Sequence, residues 1–347
     1  MALPGGGRHT RKVRWPWIVA ISLAASPALA KPAVPPRSAK PTSGDFWRDV
    51  VEPHADEVRA LVVKTRNAIR IADEALQTDA EWAVEQRMRY FEAAYGMMHY
   101  ARTLAPDNAE VLGLYGRAAD ELGKSRQAID AFEAAIRLVG PEKAGPDVTG
   151  RLGALYLRMG DRDAAIRWLR QATGPLSAIT APAIAELANA LATRGEVSAG
   201  IEVIQAALPT SNSYYSHEVS LLSFSLAVVL DRDEQRGAAF EVLDKMRTTL
   251  QQQFGPQLQN VLAQTRFSPA EDQHYYLALL YETLDQLTEA RAEWALYAAS
   301  GDTPWRARAL DHIHAIDAQR KAPKPAIKPG AATTPPPPAP PRLRRRP

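Results

Sequence analysis

The 347-residue chain contains no cysteine. That absence excludes a disulfide framework, a thiolate zinc site, a cysteine nucleophile and a lipid-modified N-terminal cysteine, so any metal would need histidine or carboxylate ligands. No convincing run alternates apolar and polar residues as a strand would. Neither HExxH nor a nucleophile elbow occurs, so sequence-local metalloprotease or hydrolase chemistry has no carrier. Acidic residues are missing from both ends, with none before Asp45 and none after Asp317.

The first 30 residues have the three parts of a secretory signal in order: Arg8, Arg11, Lys12 and Arg14, then the apolar Trp17–Ala25, then Ala28-Leu29-Ala30 as a small-x-small cleavage site. Cleavage after Ala30 is expected, with Ala28 and Ala30 as its recognition residues. The apolar stretch is shorter than the roughly 20 residues a membrane helix needs, so an uncleaved anchor is the weaker alternative. No adjacent arginine pair supports twin-arginine export. The expected location is the periplasm or cell envelope.

The net charge of +3 pools segments of opposite character. Four basic residues lie in the signal, three in the linker 31–44 and seven in the tail 321–347, which leaves residues 45–320 with 28 basic against 39 acidic side chains. Proline divides the chain in the same places: four in the linker, ten in 322–347, and only ten in the 276 residues from 45 to 320. Such termini cannot offset the entropy of ordering and are expected to be disordered and polyproline-like. With 46% hydrophobic residues, the middle can bury a large core.

That middle is helical in its periodicity. Val58, Leu61, Val62, Thr65, Ile69, Ala72 and Leu76 follow the stripe of an amphipathic helix. Further on an internal repeat appears. A bulky-small pair recurs as Tyr115-Gly116, Leu152-Gly153, Leu187-Ala188, Leu226-Ala227 and Leu277-Ala278. Twelve residues after each comes a small residue, Ala128, Ala165, Gly200, Ala239 and Ala290, and four later a large one, Phe132, Leu169, Ile204, Leu243 and Trp294. Small side chains at two crossing points let paired helices approach, and large ones fill the groove between pairs. Gly123, Gly160 and Gly195 stand where the first helix ends, a position that favours left-handed backbone; Glu234 and Asp285 hold it in the last two units.

These windows resemble the tetratricopeptide repeat (TPR), over roughly residues 75–300. The resemblance implies an all-α, right-handed solenoid of about five to six helix pairs. Its expected parts are a signal peptide at 1–30, a Pro-rich linker at 31–44, a divergent N-terminal helical region at 45–108, the solenoid with a C-terminal capping helix at 109–320, and a basic tail at 321–347. Ala94, Met98, Ala101 and Pro106 mark the second helix of a divergent first unit, and Asp302-Thr303-Pro304-Trp305 starts the cap. An insertion, GPQLQNVLAQTRF, precedes Ser268-Pro-Ala-Glu271, which reads as a capping box.

Local chemistry is thin. Gly123-Lys124-Ser125 lacks the second glycine and preceding strand of a phosphate loop, and reads as a repeat turn with Ser125 capping the next helix. His312 and His314, two apart, point to opposite sides of a helix and read as surface imidazoles. No cofactor, metal, catalysis or nucleic-acid partner is expected. In TPR proteins the first helix of each pair lines an inner groove that holds peptides. Carried over, the resemblance implies Arg117, Arg158, Asn189, Phe224, Asp231, Tyr275, Leu279 and Glu282 as groove residues, with Phe224 and Tyr275 as aromatic anchors. The expected function is an exported scaffold for a protein or peptide. The alternatives are a structural envelope protein touching anionic lipid or polymer weakly through its basic tail, and an exported enzyme on a helical scaffold.

Overall fold

The computed structural model describes residues 53–75, 81–209, 214–301 and 303–321. The expected signal and linker, with residues 45–52, Asp302 and the tail beyond Lys321, lie outside the described residues. The chain divides into two units, Met1–Pro53 and His54–Pro347, and the elements below belong to the second.

No strand occurs among the described residues. Their α-helices are α1 (Ala55–Ala75), α2 (Glu81–Leu104), α3 (Ala109–Glu121), α4 (Ser125–Val139), α5 (Pro141–Arg158), α6 (Arg162–Ala172), α7 (Thr180–Thr193), α8 (Val197–Ala207), α9 (His217–Arg232), α10 (Arg236–Leu250), α11 (Phe254–Gln264), α12 (Asp272–Thr283), α13 (Leu287–Ala299) and α14 (Arg306–Lys321). Each odd helix from α1 to α9 packs on the next even one, α12 packs on α13, and α14 packs on α13. The first helices also touch from pair to pair, α3 on α5, α5 on α7, α7 on α9 and α9 on α12, so they form one continuous inner row. This is an all-α TPR-like stack of six pairs with a terminal cap. α11 is the expected insertion, folded as an extra helix against α9 and α12.

The stripe on each second helix explains why it docks. In α4, Ala128, Ala131, Phe132, Ala135 and Ile136 are buried at helical spacing. The two glycines opposite large residues have no room for more. A Cβ on Gly116 would lie 2.7 Å from the Phe132 ring, and one on Gly153 2.6 Å from Leu169 Cγ. At Gly200 the clash is with backbone, 2.7 Å from the Ala188 carbonyl oxygen. Ala165, Ala188, Ala227, Ala239, Ala278 and Ala290 are likewise fully buried in the stack.

Five turns between helices repeat one geometry. Gly123, Gly160, Gly195, Glu234 and Asp285 have φ of 72°, 83°, 92°, 60° and 59°. The next residue's N–H closes each helix by donating five positions back: Lys124 to Ala119, Asp161 to Tyr156, Glu196 to Leu191, Gln235 to Leu230 and Gln286 to Tyr281. Glu234 and Asp285 therefore adopt the left-handed conformation that glycine takes more cheaply.

Three local expectations are corrected. Ser125 is the first residue of α4 and does not cap it; Lys124 precedes it and its ammonium lies 3.6 Å from the Tyr95 ring centre. Ser268 is buried four residues before α12 begins at Asp272, so the capping box does not form. Pro304 stands in the turn before α14, which starts at Arg306.

Candidate functional site

α3 and α5 bring their inner-row side chains into one ionic network, joined from α1 and α2 and bordered by α7. Arg117 on α3 pairs with Asp73 of α1 at 2.6 Å and lies 3.9 Å from Asp147. Asp120 and Glu121, one turn on, are almost fully enclosed. Arg151 of α5 lies 2.9 Å from Glu121 and 3.4 Å from Asp120, Arg87 of α2 lies 2.5 Å from Glu121, and Arg158 of α5 donates to Asp120. Burial works to raise the Glu121 carboxyl pKa, but the charges of Arg151 and Arg87 outweigh it and hold the group at about 2. Glu186 of α7 has the opposite balance: burial, only partly offset by Arg158, pushes it up to about 8.

Asn189 continues the row. Its amide donates to the Tyr276 hydroxyl at 3.0 Å, its carbonyl accepts from Arg232 at 3.1 Å, and Arg232 pairs with Asp272 at 2.7 Å with both side chains buried. Arg117, Arg158 and Asn189 thus lie together on the inner face, part-buried and engaged with neighbours.

The second half of the expected groove is corrected. Phe224, Asp231, Tyr275 and Leu279 have no exposed surface, and the Glu282 side chain is only 6% exposed. Every residue of α9 from Val219 to Arg232 is buried, because α7, α8, α10, α11 and α12 surround it, and the Phe224 ring packs against Tyr276 of α12, 5.7 Å between ring centres. Tyr275 is enclosed by Trp294 and Tyr297, with ring centres 4.7 and 5.1 Å away, and its hydroxyl donates to Asp231 at 2.7 Å. These residues are core.

α14 closes the far end in the same way. Asp231 accepts from Arg308 at 2.6 Å and faces His312 Nε2 at 3.0 Å, while His312 Nδ1 lies 2.7 Å from Glu282. Glu282 also accepts from the Trp294 indole at 3.2 Å and pairs with Arg236 at 2.5 Å. His312 is buried, contrary to its reading as a surface imidazole, whereas His314 is exposed. The helical spacing correctly separates the two but does not reveal which faces the core.

Two spaces adjoin the open part of the row. A hollow of about 360 Å³ is lined by Arg66, Ile69, Arg70, Asp73, Leu114 and Arg117. A narrow one of about 20 Å³, room for a single water, lies under residues 265–268 beside Glu186, Asn189 and Tyr276. Asp120, Glu121, Arg151, Glu186 and Arg266 are inner-row participants that the sequence reading missed. The spacing of Asp120 from Arg117, one turn along α3, is the signal that could have found the first of them.

Residues 109–138 and 148–174 match the family model described as tetratricopeptide repeat. These segments are tetratricopeptide repeats. They comprise α3 with most of α4, and α5 from Val148 onward with α6, so Arg117, Asp120, Glu121, Arg151 and Arg158 lie on the first helices of the two matched TPR units. No curated protein matches the chain in sequence. Among solved structures it is similar to the MamA protein, at 17% identity over 55% of this chain and 93% of that one, with a TM-score of 0.39. It is also similar to the C-terminal part of a TPR repeat-containing protein from Cytophaga hutchinsonii, at 16% identity over 77% and 97% of the two chains, TM-score 0.38. A third is the P58(IPK) TPR domain, at 16% identity over 82% and 72%, TM-score 0.28.

Proposed function

We propose that this chain is an exported, non-catalytic scaffold that holds a protein segment against the inner row of its N-terminal repeats. TPR repeats are protein-interaction units, and a stack of first helices presents one continuous surface to an extended or helical segment. The observation that carries the reading is the convergence of Arg117, Arg158 and Asn189 from three successive repeats on one part-open face, backed by the paired carboxylates Asp120 and Glu121. Fixed, hydrogen-bonded charges of both signs favour a partner by orientation and complementarity more than by buried apolar area. Export is supported by the basic, apolar and small-residue pattern of residues 8–30. No helix among the described residues is long and apolar enough to cross a membrane.

A photo-crosslinking residue at position 117, on the inner row, tests the binding face when compared with one at Arg137, exposed on α4. Cells expressing each full chain should give a discrete protein adduct from position 117 only. Adducts from both positions or from neither would sink the reading. Intact mass of the recovered protein tests export, with a mature N-terminus expected at Lys31; retention of Met1 in cytoplasmic protein would overturn it.

A further inference from the structure

The insertion does more than lengthen the stack. Beyond Gln264 the backbone leaves the helix at Thr265, with φ −86° and ψ 128°, and does not become helical again until Asp272. This strap, Thr265–Ser268, runs along the inner row. Together with Asp272 and Tyr276 of α12, Glu186 and Asn189 of α7 and Leu221 of α9, it encloses the 20 Å³ space. From it Arg266 reaches 146 positions back along the sequence to α3, where its guanidinium lies 3.5 Å from Asp120 and 3.7 Å from Glu121. Phe267 turns the other way, its ring centre 4.9 Å from that of Tyr276. A four-residue segment therefore contacts first helices at both α3 and α12 and borders α7 and α9 between them, which is the path a bound peptide would take.

Its hold is unequal. α11 is anchored by the buried Phe254, Leu258, Val261 and Leu262, so the helix stays in place without the strap. Arg266 is about half exposed, and its ion pairs are longer than those that Arg151 and Arg87 make to the same Glu121 at 2.9 and 2.5 Å. Removing it leaves both carboxylates paired. The pairs are long, Arg266 keeps about half of its side chain in solvent, and both carboxylates have other partners, so this contact is one that a competitor can replace.

We propose that the strap is a built-in stand-in for the partner: the inner row takes a protein segment presenting an arginine followed by an aromatic residue in extended backbone, and that segment binds by displacing Arg266 and Phe267. This rests on the inner row being the binding face. Asp120 and Glu121 receive the arginine, Tyr276 receives the ring, and the tethered strap competes at an effective concentration on the order of millimolar. Free protein is held closed by its own sequence, and only a partner that beats the strap gains the row.

The probe is a fluorescent peptide of residues 262–269, Leu-Ala-Gln-Thr-Arg-Phe-Ser-Pro, titrated into the full mature chain. The Arg266→Ser/Phe267→Ser variant, whose strap no longer competes, should bind it at least tenfold more tightly than wild type, and Glu121→Gln on that background should weaken binding again. A peptide with serine at the arginine and phenylalanine positions should bind neither protein. Circular dichroism checks the fold, and Arg266→Ser alone, which trims only a half-exposed side chain, repeats the test if the double variant is unstable. Hydrogen exchange at residues 265–268 of wild type should rise at saturating peptide. Equal affinity for wild type and variant, no binding to the folded variant, or unchanged exchange would each overturn the proposal. If the adduct at position 117 still forms while the peptide fails, the binding face stands and only its proposed ligand falls.

Discussion

The His312 imidazole lies 3.0 Å from the Asp231 carboxylate, 81 residues away in sequence, with both side chains buried. Its other nitrogen lies 2.7 Å from Glu282, and its ring stacks on Trp294 at 4.3 Å and 18°. Two carboxylates on one imidazole specify the doubly protonated ring, since both nitrogens must donate. The cap helix is thereby joined to the fifth and sixth helix pairs through one ion.

That arrangement makes stability depend on pH in a defined sense. Burial acts to lower the His312 pKa, but its hydrogen bonds to Asp231 and Glu282 and their charges raise it above its ordinary 6.5. Below pH 6.5 the ring is charged in both states and its contribution is complete. As pH rises through the folded value, the unfolded chain has already lost the proton that the folded one retains, and the stabilisation disappears. Melting temperature should fall across that window. His312→Asn should cost about 3 kcal/mol at pH 6 and less at high pH, because a buried ionic contact is broken from one side only when charged. An equal loss at both pH values would show that the ring is neutral in the fold.

Much of the stack is legible in the sequence because its constraints are local. Gly116 faces Phe132 and Gly153 faces Leu169 at fixed offsets of sixteen residues, and the helix approach leaves no room for larger side chains. The left-handed turn recurs at a fixed distance from each crossing even where Glu234 or Asp285 occupies it. What spacing does not encode is what covers a helix from outside its own pair. The insertion is visible as extra residues before Ser268, but its return to α9 and its reach to Asp120 depend on contacts between distant segments. Phe224 and Tyr275 therefore read as groove anchors although Tyr276 of α12 packs on the first, and Trp294 and Tyr297 of α13 on the second.

Gly153→Leu should overpack the crossing with Leu169, whose Cγ and backbone nitrogen already lie 2.6 and 3.1 Å from an added Cβ. The cost should be roughly 1–3 kcal/mol. Arg162→Leu, at the exposed start of α6, should change stability by roughly 0.5 kcal/mol or less. Chemical denaturation of the two variants under one condition decides it, and equal midpoints would move the crossing elsewhere.

Phe224→Ala should behave as a core deletion. The ring is fully enclosed and its centre lies 5.7 Å from that of Tyr276, so truncation should cost about 3–5 kcal/mol. Where the variant remains folded, the adduct from position 117 should be unchanged. Loss of the adduct with unaltered stability would instead make Phe224 a contact residue.

Glu186 supplies a second pH dependence that can be separated from that of His312. It sits in the inner row beneath the strap, near Arg158, Asp120, Arg266 and Ser268, and burial raises its carboxyl to about 8 from 4.5. Below about pH 4.5 both folded and unfolded chains carry the proton and there is no penalty. Between 4.5 and about 8 the unfolded chain releases a proton that the folded chain keeps, so stability declines with each step upward and levels off beyond. Glu186→Gln keeps the shape and a neutral group, and should leave the melting temperature nearly unchanged at pH 4.5 while raising it relative to wild type at pH 8. His312→Asn should lack that gain and keep the Glu186 part of the slope, so the double variant should be the flattest of the four proteins between pH 5 and 9. Thermal melts at pH steps across that range measure this directly. A Glu186→Gln slope parallel to wild type would mean that the carboxylate is already ionised in the folded inner row, satisfied by Arg158.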